Sequence, residues 1–134
     1  MKHDSIMAVL DTSVIYALID GEKINFSDDN LEHCTATCYN IAEVVNKMVL
    51  KKKTNHMDTW ILVESLIPNP YAIDMHVSRI ATGLSEIIDS SFGISLGDKL
   101  CLALDIILNK PIYTADKVWK QFEKKLGITI NLVR

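Results

Sequence analysis

Four acidic residues, Asp11, Glu43, Asp98 and Asp116, stand where carboxylates could act together on one substrate. Asp11 closes the apolar run MAVLD, and Glu43 falls in the first turn of a helical segment that follows the run CTATCY. Asp98 falls in the first turn of a segment that opens at Leu96, and Asp116 lies just past the run PIYT. If those runs are parallel strands, their carboxyl ends and the amino ends of the following helices share one edge of the sheet, which is where α/β proteins bind ligands. Each carboxylate also has an ordinary reading as a helix-start residue facing free amides and the positive dipole end. Asn40-x-x-Glu43 and Ser95-x-x-Asp98 both match a capping box. Taken together, four carboxylates on one edge repel one another, by about 4 kcal/mol per close pair at an effective dielectric near 20. A cation must offset that. An oxygen-only set with no adjacent His or Cys favours a hard divalent ion, Mg²⁺ or Mn²⁺. Such a site can ionise water and stabilise a departing oxygen in phosphodiester hydrolysis without a nucleophilic side chain.

Other constellations are weaker. His33, Cys34 and Cys38 lack a fourth zinc ligand, and the odd set Cys34, Cys38 and Cys101 reads as buried free thiols rather than a disulfide framework. His76 and Asp74 fall near the end of a proline-flanked run at the sheet periphery, and Asp105 lies two turns beyond Asp98, too far to share its ion. No GxxxxGK[ST] or GxGxxG loop is present. Trp119, Phe122 and Leu126 read as a packed helix face rather than a base-stacking platform. An Asp after a first strand also begins phosphatases of the haloacid dehalogenase type, but those need a second acid two residues on, where Ser13 stands.

The elements that must position the carboxylates follow from periodicity. Short β-branched runs alternate with longer helical segments, the pattern of parallel strands joined by helices. Strands are expected at Met7–Asp11, Cys34–Tyr39, the run YAIDM, Pro111–Thr114 and the run ITINLV; helices at Ser13–Leu18, from Ile41 through Val44, Val45 and Met48 toward the lysine triplet, and at Met57–Ile67, His76–Ile88, Leu96–Leu108 and Lys117–Leu126. Prolines 68 and 70 favour an edge position for YAIDM. A length of 134 residues with 49% hydrophobic and 23% charged residues fits a single globular domain over 1–134. No apolar run approaches a membrane span or a secretory leader, so a cytoplasmic protein is expected. The net charge of −3 does not advertise a nucleic-acid binder, although Lys51, Lys52 and Lys53 cluster, as do Lys117, Lys120, Lys124 and Lys125.

The segments VLDTSVIYALI, YNIAEVVNKM, ISLGDKLCLALDIILNKPIYTADKVW and GITINLVR together resemble a PIN-domain protein, specifically a toxin of the VapC family from bacterial toxin–antitoxin pairs. The resemblance runs nearly end to end and is most specific in the SLGDKLCLAL…PIYTADKVW stretch. It implies a three-layer α/β/α domain with a mainly parallel sheet, whose acidic quartet maps onto Asp11, Glu43, Asp98 and Asp116 as metal ligands and catalytic residues. It implies Mg²⁺- or Mn²⁺-dependent cleavage of RNA to 5′-phosphate and 3′-hydroxyl ends, with transfer RNA among the expected substrates. Ser13 and Thr114 occupy the family's hydroxyl positions beside the first and last Asp, where they would orient carboxylates or waters. A cognate antitoxin that covers the site, and a homodimer, are further implications. The segment between Asp20 and His33 departs from the family pattern, and Lys99 stands where relatives often have Arg. The competing expectation is a non-catalytic PIN-like module whose acidic edge binds a basic partner protein.

Overall fold

The computed structural model describes residues 5–134. The first strand, β1 (Ala8–Leu10), leads into α1 (Thr12–Ile19), and β2 (Cys34–Thr35) leads into α2 (Cys38–Lys52). Then come α3 (His56–Leu66), α4 (Met75–Gly83), α5 (Leu96–Leu108), β3 (Ile112–Thr114), α6 (Glu123–Leu126) and β4 (Ile130–Leu132). The strands form one parallel sheet in the order β2-β1-β3-β4, with Val9 opposite both Thr35 and Ile112.

Because successive side chains of a strand point to opposite faces, β1 serves two cores at once. Ala8 and Leu10 pack with Val14 and Ile15 of α1, Ile41, Val44 and Met48 of α2, and Val63 of α3. Val9 faces the other way and joins Leu102 and Leu104 of α5, Ile112, Ile130 and Trp119. Val77 and Ala81 of α4 close over Leu100 and Ala103 of α5 as an outer cluster. Helices therefore cover both faces of the sheet, giving the expected three-layer α/β/α arrangement.

The helix signals in the sequence are realised most fully in α5. Ser95 and Asp98 form a reciprocal capping box, and Asn109 ends the helix in the left-handed region at φ 53°. The second strand is shorter than its apolar run suggests, because Thr37 caps α2 by accepting from the Asn40 amide at 3.0 Å and so draws Cys38 and Tyr39 into the helix. Asn40 is accordingly not a cap, and Glu43 sits in the second turn of α2 rather than the first. The run YAIDM makes a single bridge, Thr37 to Tyr71, before Asp74 caps α4; Pro68 and Pro70, just ahead of it, have no amide N–H with which to lengthen the ladder. The segment Lys117–Phe122 is a 3₁₀ turn that passes into α6, and Trp119 and Phe122 are buried as a packed face. Of the three thiols, Cys34 and Cys101 are buried and Cys38 is exposed on the first turn of α2, contrary to the expectation for it.

Candidate active site

The chain turns to opposite sides of β1 when it continues to β2 and to β3, so the crevice between the carboxyl ends of β1 and β3 is the switch point of the sheet. Asp11 stands at the first of these strand ends and Asp116 just beyond the second. The two ends are tied by the Asp11 amide, which donates to the Tyr113 carbonyl at 3.0 Å.

Asp11 is the most constrained of the four acids. It is only 5% exposed, and its Oδ2 accepts from Ser13 Oγ at 2.7 Å and from Thr114 Oγ1 at 2.8 Å. The same hydroxyls are fixed from behind: Ser13 Oγ accepts from the Ala115 amide and Thr114 Oγ1 from the Asp116 amide, each at 3.0 Å. Two short side chains thus hold the first carboxylate and set the path of the backbone that carries the last. Burial pushes the Asp11 carboxyl up to about 6; the two hydroxyls oppose that rise, and the charge of Asp98 adds to it.

Asp98 is half-buried in the first turn of α5, where its Oδ2 accepts from the Ser95 amide at 3.2 Å. Its carboxyl is raised above the ordinary range, first by burial and then by the charges of Asp116 and Glu43, against the lowering effect of the Ser95 hydrogen bonds. Glu43 reaches the same edge from α2. Its Oε1 accepts from Thr12 Oγ1 at 2.9 Å and from Asn40 Nδ2 at 3.1 Å. Asp116 is exposed and caps the following 3₁₀ turn through Oδ1, which accepts from the Val118 amide at 3.0 Å.

Two residues position the site in ways the sequence did not indicate: Asn40, which it marked only as a helix cap, and Gly97. Asn40 is fully buried and hydrogen-bonded on every side: Oδ1 accepts from Thr37 Oγ1 at 2.6 Å, and Nδ2 reaches both Glu43 and the Gly97 carbonyl, the latter at 3.2 Å. It therefore docks α2 onto the start of α5. Gly97 leaves room for the Tyr39 and Glu43 side chains at that approach, since a Cβ there would lie 2.7 Å from Tyr39 Cε1 and 2.9 Å from Glu43 Oε1. Gly97 has no sequence signature beyond its type, and the spacing of Asn40 to Glu43 pointed to a cap instead.

The donor set consists of carboxylate oxygens alone, which suits Mg²⁺ or Mn²⁺. Among the described residues, the ion pairs within 4.0 Å join other groups, so no Lys or Arg neutralises this edge by direct pairing. Nor, among them, are three acids gathered closely enough to make a finished coordination sphere. Asp98 and Asp116 each give an oxygen to a helix-start amide, and those bonds draw the carboxylates toward their own backbones. Asp105 lies apart, fully buried within α5, and both its oxygens lack a hydrogen-bond partner among the described residues. Asp74 and His76 belong to the start of α4, where Asp74 caps the Val77 amide at 2.9 Å.

No protein-family model matches the sequence, and no curated protein matches it significantly. Solved structures do match the fold. A member of the VapBC family of toxin–antitoxin systems, VapBC-5 from Mycobacterium tuberculosis, aligns over 96% of this chain and 98% of its own at a TM-score of 0.60 and 18% identity. FitAcB from Neisseria gonorrhoeae aligns over 92% of this chain and 96% of its own at a TM-score of 0.59 and 16% identity. Likeness at these identities is one of fold, and the fold is the PIN-like α/β/α arrangement.

Proposed function

We propose that this chain is a divalent-metal-dependent endoribonuclease, the VapC-type toxin of a toxin–antitoxin pair. The observation that carries the reading is the buried Asp11 carboxylate, locked by Ser13 and Thr114 at the switch point of the sheet and facing the charge of Asp98. A site of that kind is costly to ionise unless a cation binds there. The toxin–antitoxin structures that share the fold support the same reading.

Asp11, Asp98 and Asp116 would hold the ion directly or through water, and Glu43 would complete the site or position a second ion. Mg²⁺ or Mn²⁺ bound there supplies Lewis acidity to the attacking water and to the scissile phosphate. Ser13 and Thr114 keep Asp11 in one rotamer, while Thr12 and Asn40 hold Glu43 toward the edge. Water adds to phosphorus, the bond to O3′ breaks, and that oxygen leaves protonated, giving 5′-phosphate and 3′-hydroxyl ends. Small structured RNAs such as transfer RNA fit this role. A cognate antitoxin would hold the activity in check by covering the acidic edge, with an Arg from it well suited to the carboxylates. Met57, Ile61 and Leu62 are exposed along α3 and form apolar surface suited to a homodimer partner. The acidic edge, whose carboxylates take no part in the ion pairs among the described residues, also fits, as second reading, a non-catalytic module that binds a basic partner there.

Partner-free protein incubated with an RNA pool separates these readings. Cleavage that needs Mg²⁺ or Mn²⁺, stops with EDTA and is lost in Asp98→Asn is the expected result. Equal cleavage by Asp98→Asn would overturn the assignment, and tight partner binding with no turnover would establish the second reading.

A further inference from the structure

Beside Glu43 an open cavity of about 460 Å³ runs between α2 and α3. Tyr39, Glu43 and Asn46 contribute from one stripe of α2, and His56 and Trp60, one turn apart on α3, form the opposite wall. The wall is ordered. Trp60 Nε1 donates to His56 Nε2 at 3.0 Å, and the two rings meet edge to face at 6.5 Å and 86°. With Nε2 accepting, a neutral His56 carries its proton on Nδ1, as a donor.

The cavity is continuous with the carboxylate edge, because Glu43 belongs to both and the Tyr39 ring edge lies against the same point of α5 as the Glu43 carboxylate. At its far end the chain passes through Lys51, Lys52 and Lys53, all exposed. Lys52 pairs with Asp20 at 3.1 Å; the ion pairs among the described residues leave out Lys51 and Lys53. Lys53 precedes His56 by three residues, so their Cα atoms are at most about 11 Å apart. Along α2, Glu43 and Lys51 are separated by roughly 12 Å at 1.5 Å per residue.

We propose that this cavity is a nucleobase subsite. It takes one unpaired base of an RNA strand whose neighbouring phosphate lies at the carboxylates and whose backbone continues toward Lys51 and Lys53. The subsite rests on the ribonuclease reading for its strand but not for its chemistry. Aromatic faces stack on any base, while an amide and an imidazole N–H read its edge, and lysines follow the backbone. Apolar side chains of a protein segment would cover the same rings but offer the Asn46 amide and the His56 N–H no partner.

Tryptophan emission reports the cavity directly. Of the two tryptophans, Trp119 is 0% exposed and packed in the core, whereas Trp60 lines the cavity. The Asp98→Asn chain, which leaves RNA intact under the ribonuclease reading, is titrated in Mg²⁺ with tetranucleotides of each base, with the same oligonucleotides carrying an abasic site, and with a tryptophan-free amphipathic peptide. At least one tetranucleotide should quench Trp60, and base removal should weaken its binding roughly 10-fold or more. Asn46→Ala, at an exposed position, should change the ranking of the bases. Trp60→Leu should remove the quench while a labelled oligonucleotide still reports weakened binding. Oligonucleotide binding without quenching, equal affinity for the abasic strand, or quenching by the peptide alone would overturn the subsite. Base-dependent quenching in a protein whose wild type cuts no RNA would keep the subsite and overturn the ribonuclease reading; cleavage by wild type with Trp60 silent would do the reverse.

Discussion

Asp105 is the least comfortable residue in the fold, and replacing it should make the protein more stable at neutral and alkaline pH. Its carboxyl is fully buried in α5, both oxygens lack a hydrogen-bond partner among the described residues, and burial raises it from 3.8 to about 7. The raised value fixes the sign. The folded state holds the proton more tightly than the unfolded one, so ionisation of this group costs nothing below pH 3.8, and stability falls as pH rises from there through about 7. At about 1.4 kcal/mol per unit, the loss accumulates to about 4 kcal/mol. Asp105→Ala removes that cost and gains a few tenths of a kcal/mol in helix propensity, against roughly 1 kcal/mol for the small cavity left behind. The variant should therefore be about 3 kcal/mol more stable than wild type at pH 8 and within about 1 kcal/mol of it at pH 4. Urea unfolding at the two pH values measures this, with the midpoint at pH 8 moving upward by roughly 1–2 M for a domain of this size. An identical difference at both pH values, or a variant less stable than wild type at pH 8, would refute the argument from the buried charge.

Three further outcomes follow from the carboxylate edge. Asp11→Asn in metal-free buffer should be more stable than wild type above pH 6, because the burial that raises Asp11 to about 6 penalises its charged form; Mg²⁺ should raise the melting temperature of wild type at pH 8 but scarcely that of the variant, as differential calorimetry would show. Gly97→Ala should keep the fold, since the atoms in the way are the tips of Tyr39 and Glu43, yet lower RNA cleavage by up to roughly 100-fold as Glu43 is displaced. Circular dichroism with single-turnover cleavage separates the two effects. Ser13→Ala removes the hydroxyl from Asp11 and leaves the Ala115 amide unmet, so about 1–2 kcal/mol of stability should be lost in urea unfolding together with activity.

The sequence made the parallel α/β order legible because strands and helices alternate with distinct periods, and α5 most fully because its cap at Ser95, its apolar face and its stop at Asn109 agree. It misjudged β2 because an apolar β-branched run cannot reveal that the Thr37 hydroxyl will cap a helix inside it. The same shift moved Glu43 by a turn and turned Asn40 from a cap into the pin between α2 and α5. Asp105 shows a different limit: spacing places it two turns from Asp98, but only the packing of α5 between the sheet and α4 shows that it is buried without a partner among the described residues. The cavity at Tyr39, His56 and Trp60 was equally invisible, since it depends on how two helices cross.

The activity proposed for the acidic edge is cleavage of RNA. Sequencing RNA 5′ ends from cells induced to express wild type or Asp11→Asn tests it most directly. The account predicts a discrete set of new 5′-phosphate ends with wild type and their loss with the variant; the same ends from both, or none from wild type, would contradict it.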